Sequence, residues 1–302
     1  RRQRQMCIRD RENSIRYSNP ESNELSMIFS FHHLKVDYPS GNKWEIEPFR
    51  FHDLKKHLFT WQEEMEKGGG WNALFWCNHD QPRIVSRIGN EKEYRVKSAK
   101  CLATAIHGLK GTPYIYQGEE IGMTNAGYTS IDEYMDIESL NYYNILKLQG
   151  KSEEEVIRIL GAKSRDNSRT PMQWDASENA GFTKGTPWLK VCDRYKEINT
   201  ESRHEPDSVF QYYKELVKLR KELPVIQKGA VTPLLREDKE ILAYKREYQG
   251  KELYVFCNFF DGEVKVPYSI PEDCKSILSN YGEEISPREL VLRPYEAVMF
   301  LR

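Results

Sequence analysis

The sequence has little of what membrane-spanning and nucleic-acid-binding proteins depend on. Its 302 residues contain no apolar run that approaches the roughly 20 residues needed to cross a bilayer. The 45 basic and 46 acidic residues leave a formal net charge of −1, so the chain as a whole has no electrostatic attraction to nucleic acid or to an anionic membrane. We therefore expect neither a nucleic-acid nor a membrane partner. A hydrophobic content of 39% is enough to bury a core.

The six cysteines also lack the spacing of a disulfide framework or a metal site. They form no CxxC motif and no pairing with histidine, so we expect no metal. Cys77, Cys101 and Cys257 lie in apolar segments, which is typical of small buried thiols. This pattern predicts a reducing compartment and a cytoplasmic location.

The most informative segment is WNALFWC at 71–77, followed directly by NHDQPR at 78–83. The first part is apolar on both faces, as in a parallel strand that is covered on both sides. In a barrel of alternating strands and helices, function lies at the carboxyl ends of such strands. We therefore expect His79 and Asp80 to lie in an active site. The alternative is a polar turn in which Asp80 caps the next helix.

Strand and helix patterns alternate along the first part of the chain, which predicts a parallel sheet. A long excursion then interrupts the alternation, and excursions of this length usually shape a binding site. Beyond about residue 229, short apolar runs separated by turn residues predict an all-β domain. The expected elements are strands at 25–33, 72–77 and 113–117, and helices at 51–67, 94–109, 152–160 and 207–223, the last capped by Asp207.

Three motifs, in order, resemble the α-amylase superfamily, glycoside hydrolase family 13: NHDQPR at 78–83, TPYIYQGEEIGM at 112–123 and SRDNSRTPMQW at 164–174. The resemblance begins near residue 14. It implies an α/β fold, namely strands six to eight of a (β/α)₈ TIM barrel followed by a small all-β sandwich. The implied domains are a partial barrel at 14–226, with a loop insertion at 119–206, and an antiparallel β domain at 229–302.

Residues 1–11, RRQRQMCIRDR, are strongly basic and depart from the family. We expect residues 1–13 to be a non-native or disordered tail. The alternative is a basic arm that binds nucleic acid.

The resemblance implies a retaining α-glucosidase, with no organic cofactor. The blocks at 31–44 and 68–87 look most like family members that split the phosphorylated disaccharide trehalose 6-phosphate into glucose and glucose 6-phosphate. Oligo-1,6-glucosidases are the alternative, and a non-catalytic carbohydrate-binding remnant is a second one. Family members take their nucleophile aspartate and acid/base glutamate from strands four and five. Both residues would lie before residue 1, so we expect a C-terminal fragment that is inactive alone. The oligomeric state stays open.

By the same resemblance, Asp80 would be the third carboxylate of the site, which stabilises the transition state by accepting hydrogen bonds from the sugar. His79 would donate to a neighbouring hydroxyl. Arg169 would orient a carboxylate or a hydroxyl, unless it forms a salt bridge within its loop. Arg165 is a further substrate-binding candidate.

The loop salt bridge of Arg169 would be with Asp166 or Asp175. Lys35 would attract a phosphate at the mouth of the pocket, and Lys43 is a second candidate for the same role. For Lys35 the alternative is an ordinary solvated lysine.

Overall fold

The computed structural model of the chain describes residues 11–302. The first ten residues of the expected tail lie outside this range, whereas residues 11–13 form the first turn of a helix. The helices are α1 (Arg11–Ser18), α2 (Phe51–Gly68), α3 (Ile84–Arg87), α4 (Arg95–His107), α5 (Ile137–Leu148), α6 (Glu153–Lys163), α7 (Val209–Glu222) and α8 (Pro224–Lys228). The strands are β1 (Ala73–Leu74), β2 (Thr112–Pro113), β3 (Ala230–Leu234), β4 (Ile241–Tyr248), β5 (Lys251–Asn258), β6 (Val264–Lys265), β7 (Lys275–Ser279), β8 (Val291–Leu292) and β9 (Ala297–Leu301).

The predicted parallel sheet is present but much shorter than expected. β1 and β2 pair in parallel over two residues each, and one parallel bridge joins Ile28 to Asn72. The strand predicted at 25–33 is therefore wrong over most of its length, and the chain turns into a 3₁₀ helix at His32–Leu34. The missing N–H of Pro113 does not interrupt this pairing, because the N–H groups of Thr112 and Tyr114 donate to the carbonyls of Asn72 and Leu74.

The two helices predicted between these strands are confirmed. In α2 the apolar side chains at helical spacing, Leu54, Leu58, Trp61 and Met65, are all buried, as expected of a helix that covers a sheet. The helix ends at Gly68, and the φ of 71° at the next residue, Gly69, lies in the left-handed region that favours glycine. Helix α4 carries a nearly continuous run of buried residues.

The predicted cap of helix α7 is wrong by one residue. The Ser208 hydroxyl, not the Asp207 carboxylate, accepts the Gln211 N–H at 3.2 Å. Asp207 instead lies 2.5 Å from the ammonium of Lys100, whose side chain is buried. The buried cation needs a counter-charge, and this requirement decides where the carboxylate points.

The excursion at 119–206 contains one helix that the sequence predicted and one that it did not. Helix α6 begins after Ser152, whose hydroxyl caps it, close to the expected position. Helix α5 was not expected because its apolar residues do not share one face: Ile137, Ile145 and Leu148 are exposed. It packs on α6 through Leu146.

The C-terminal part is the predicted all-β domain. Its main sheet has five antiparallel strands in the order β3-β4-β5-β9-β7, and β6 pairs with β8 in a second sheet. Side chains alternate along β4: Leu242 and Tyr244 join the core shared with the helices, whereas Ile241 and Ala243 join the core of the β domain itself. The chain is thus part of an α/β barrel followed by a β sandwich. Within residues 11–302, no helix is both long and apolar enough to cross a membrane.

Two buried cations fix the β domain against the helices. The Lys55 ammonium of α2 donates to the carbonyls of Leu235, Asp238 and Ile241 at 2.5, 2.8 and 2.9 Å. The Arg246 guanidinium of β4 donates to the carbonyls that follow α4 and α8, those of Gly108 and Gly229. Because each cation satisfies carbonyls of another element, the two parts of the chain pack in one defined orientation.

Glu119 lies just after β2 and is fully buried beside helix α7. The Tyr213 hydroxyl donates to its Oε1 at 2.9 Å, but its Oε2 has no hydrogen-bond partner among the described residues. Burial raises the pKa of Glu119 to about 7, against the opposing effect of the Tyr213 hydrogen bond. Its role here is therefore that of a buried structural group.

This pKa predicts that the contribution of Glu119 to the stability of the chain is lost as the pH rises from about 5 to 8. In that window the folded state holds a proton on Glu119 that the unfolded state has released, so raising the pH favours unfolding. Glu119→Gln removes the titration. Its stability relative to the unmodified chain should rise across the window by up to about 3 kcal/mol. Urea unfolding at several pH values measures this difference.

The matched control is Glu222→Gln, because Glu222 is exposed at the end of α7. Its effect should not vary with pH in this window. A Glu119→Gln effect that is equally independent of pH would contradict the prediction.

Candidate active site

Asp80 lies in the turn that follows β1, at the carboxyl end of the parallel pair. Its backbone N–H donates to the Asn78 side chain at 2.8 Å, which fixes the turn. Its side chain is 47% exposed, so it faces solvent and can meet a ligand. The capping alternative does not hold, because Arg83 is the N-cap residue of helix α3 and makes no side-chain cap.

Arg169 contacts this turn directly. Its Nη2 lies 2.8 Å from Asp80 Oδ1, and its Nε donates to the His79 carbonyl at 2.8 Å. The loop salt bridge considered as an alternative is not formed: Asp166 Oδ2 accepts backbone N–H groups, and Asp175 accepts from Ser177. The guanidinium therefore orients the Asp80 carboxylate, leaving its second oxygen toward His79.

The imidazole of His79 lies on the other side of the same carboxylate. Its Nε2 is 3.3 Å from Asp80 Oδ2, and its side chain is 59% exposed. A ring in this position can donate one hydrogen bond while its remaining edge faces the solvent.

Arg165 forms the next part of the wall. Its Nε donates to Asp136 Oδ1 at 2.6 Å, and its Nη1 lies 3.5 Å from Asp80 Oδ1. Burial works against the charge of Arg165, but the hydrogen bond and charge of Asp136 outweigh it, so its pKa lies above the ordinary value.

Asp136 is a site residue that the sequence did not reveal. Its buried carboxylate binds Arg165 and also caps helix α5 by accepting the Ser139 N–H at 3.0 Å. The capping pattern of an aspartate three residues before a serine was visible in the sequence. Its pairing with an arginine 29 positions later was not.

The two lysines of the loop at 31–44 have different environments. The Lys43 ammonium lies 2.8 Å from Glu138 Oε2 and 4.6 Å from the ring centroid of Trp44. Lys35 is exposed, and its side chain makes no hydrogen bond or ion pair within residues 11–302. The structure thus brings Asp80, His79, Arg165 and Arg169 into direct contact, joins Lys43 to them through Glu138, and leaves Lys35 apart.

Arg83 joins the segments after the two parallel strands to the excursion through hydrogen bonds. Its side chain is buried, and its Nε donates to the Asn167 carbonyl at 3.2 Å while its Nη1 donates to the Gln117 carbonyl at 2.5 Å. Tyr116 adds a hydrogen bond from its hydroxyl to the Ser168 carbonyl at 2.8 Å. The excursion is therefore attached to the carboxyl ends of both strands. Across residues 11–302, no group of three or more His, Cys, Asp or Glu side chains is placed to hold a metal ion.

Comparisons with known proteins agree with this architecture. The chain is 50% identical over 295 residues to trehalose-6-phosphate hydrolase of Bacillus subtilis, an alignment that covers 96% of this chain and 53% of that protein. It is 48% identical over 292 residues to oligo-1,6-glucosidase of Halalkalibacterium halodurans, covering 94% of this chain and 52% of that protein. The chain spans about half the length of the curated relatives it matches.

A solved structure gives the same result. The crystal structure of Bacillus licheniformis trehalose-6-phosphate hydrolase matches with a TM-score of 0.95 and 53% identity, covering 98% of this chain and 55% of that chain. Residues 5–229 match the model of the α-amylase catalytic domain. The chain therefore belongs to the α-amylase family.

Proposed function

We propose that this chain forms one wall of the active site of a retaining α-glucosidase that hydrolyses trehalose 6-phosphate to glucose and glucose 6-phosphate. The observation that carries the proposal is the solvent-facing Asp80 carboxylate, held by Arg169 at the carboxyl ends of the parallel strands. The chain is 50% and 48% identical to the trehalose-6-phosphate hydrolases of Bacillus subtilis and Escherichia coli, and this similarity supports the choice of substrate.

In this proposal Asp80 accepts hydrogen bonds from the glucosyl hydroxyls on the non-reducing side of the scissile bond. These bonds strengthen as the ring flattens and gains positive charge, so the carboxylate stabilises the transition state more than the bound substrate. His79 and Arg165 bind hydroxyls beside it, and Arg169 keeps the carboxylate in place. The nucleophile aspartate and the acid/base glutamate lie outside this chain.

Oligo-1,6-glucosidase activity is the second candidate. It is favoured by the 48% identity to the Halalkalibacterium halodurans enzyme, and the arrangement around Asp80 would serve either substrate. What separates the two candidates is a phosphate contact. The exposed Lys35 can provide one, whereas Lys43 is already paired with Glu138.

We further propose a cytoplasmic role in trehalose breakdown. The five cysteines in the described part of the chain are all free and buried, which suits a reducing compartment.

The proposed function predicts activity in a chimera. The part of the Bacillus subtilis relative that precedes its matched region is joined in frame to residues 11–302 of this chain. The purified chimera should hydrolyse trehalose 6-phosphate, whereas the 302-residue chain alone should not, because the two reacting carboxylates come from the other part. Release of glucose 6-phosphate measures the turnover. A folded, monodisperse chimera that turns over no α-glucoside would favour the non-catalytic carbohydrate-binding alternative.

Within that chimera, Asp80→Asn should lower kcat by about 100- to 1000-fold with a much smaller change in KM, because the carboxylate charge acts mainly on the transition state. Steady-state kinetics measures both constants. The control is Asp193→Asn, since Asp193 lies in an exposed ion pair with Lys190. A near-normal kcat in Asp80→Asn would reduce Asp80 to a structural acceptor.

Lys35→Glu tests the substrate. Replacing an attraction by a repulsion should lower kcat/KM for trehalose 6-phosphate but not for an unphosphorylated α-glucoside. Because Lys35 is exposed, solvent screens it, and the expected loss is about 1 kcal/mol, or roughly fivefold. Lys56→Glu, at an exposed position of α2, is the control. Equal losses on both substrates would return the oligo-1,6-glucosidase candidate to equal standing.

A further inference from the structure

Asp37 is a buried carboxylate held between two buried cations. Its Oδ1 lies 2.5 Å from Arg87 Nη2, and its Oδ2 lies 2.9 Å from Arg87 Nε and 2.8 Å from Lys163 Nζ. The three side chains are only 6%, 3% and 4% exposed. Such a cluster costs desolvation free energy, and breaking it leaves uncompensated buried charge. It therefore fixes one arrangement of the segments that carry it.

Each of those segments carries or adjoins residues of the candidate site. Asp37 belongs to the loop at 31–44, which also carries Lys35. Arg87 is the last residue of α3, the helix that directly follows the NHDQPR turn. Lys163 is the last residue of α6, the helix that directly precedes the 3₁₀ helix Arg165–Ser168.

The cluster also holds the backbone on both sides of Lys35. Arg87 donates to the Leu34 carbonyl, and Lys163 donates to the Asp37 carbonyl at 3.0 Å. A third bond runs from Arg87 Nη1 to the side chain of Gln81, one residue after Asp80, at 2.7 Å. The loop is thereby fixed relative to the turn that carries Asp80.

The cluster carries more positive than negative charge. Burial would raise the pKa of Asp37, but the hydrogen bonds and charges of Arg87 and Lys163 outweigh it and hold that pKa below its ordinary value. One carboxylate thus stands against two cations. Buried charges are screened less by salt than exposed ones, so this surplus makes the electrostatic potential around the loop more positive.

We propose that Asp37 is a positioning residue that determines substrate specificity: through Arg87 and Lys163 it holds the Lys35 loop where a sugar phosphate bound beside Asp80 meets a positive charge. The inference rests on the proposed function for its substrate, but the coupling between the loop and the turn stands on the contacts alone. Asp37 itself touches neither the sugar nor the phosphate.

The first test needs no activity. Amide hydrogen exchange of the 302-residue chain is compared among the unmodified protein, Asp37→Asn and the control Asp53→Asn, in which an exposed ion pair with Arg50 is lost. Asp37→Asn should accelerate exchange of the loop at 31–44 by about tenfold or more, and the control should not. Unchanged exchange in that loop would overturn the inference. Lys163→Met keeps the Asp37–Arg87 pair and should accelerate exchange of the same loop to a smaller extent. If Asp37→Asn does not fold, unchanged exchange in Lys163→Met overturns the inference.

The second test uses kinetics of the chimera. Asp37→Asn should raise KM for trehalose 6-phosphate by about tenfold, whereas kcat and KM for p-nitrophenyl α-glucoside should stay within about threefold. Equal losses on both substrates would show a general defect and overturn the inference. If the Asp37→Asn chimera keeps its preference for the phosphorylated substrate, this inference is overturned while the proposed function stands. A chimera that shows no such preference before any substitution overturns the proposed function, and the specificity role with it.

Discussion

The burial of one guanidinium, that of Arg83, sets the arrangement of everything above it. A buried arginine keeps its charge, so its N–H groups need acceptors from several directions. Here the acceptors are the carbonyls of Gln117 and Asn167, and the guanidinium carbon lies 5.4 Å from the ring centroid of Tyr116. Among the described residues, Nη2 has no hydrogen-bond partner. One acceptor comes from the end of β2 and the other from the excursion, while Arg83 itself follows β1. These two hydrogen bonds therefore join three distant parts of the sequence at the carboxyl edge of the sheet.

Above this arginine the site is built from opposite charges in contact. Each cation of the wall has a carboxylate partner within 2.8 Å, and the pairs are Asp80 with Arg169, Asp136 with Arg165, and Glu138 with Lys43. Because the pairs balance, the wall carries no excess charge to attract an anion. A phosphate would respond to the charges left over, which are those of Lys35 and of the cluster below it. The proposed function thus assigns recognition of the sugar hydroxyls and of the phosphate to different groups.

The sequence predicted those parts of the fold that depend on local pattern. Helix α2 has its apolar residues at helical spacing, and the apolar run before Asp80 places that residue at a strand end. The parts it missed depend on distant partners. Helix α5 has no regular apolar face in its sequence, because several of its apolar residues are exposed. The local pattern predicts Asp207 as a cap, but its carboxylate pairs with the buried Lys100, which lies 107 positions earlier.

The same distinction applies to the site. Asp80, His79 and Arg169 can be identified as candidates from the sequence because they lie in motifs. The partner of Arg169 cannot, since Asp166 and Asp175 are nearer to it in the sequence than Asp80. The path of the loop determines which carboxylate Arg169 contacts. The 3₁₀ helix Arg165–Ser168 is attached to the strand ends by backbone carbonyls, and this attachment turns Arg169 toward the turn. Under the proposed function, the Asp80 carboxylate, 47% exposed, would need no rearrangement to bind a sugar, because Arg169 already holds its orientation.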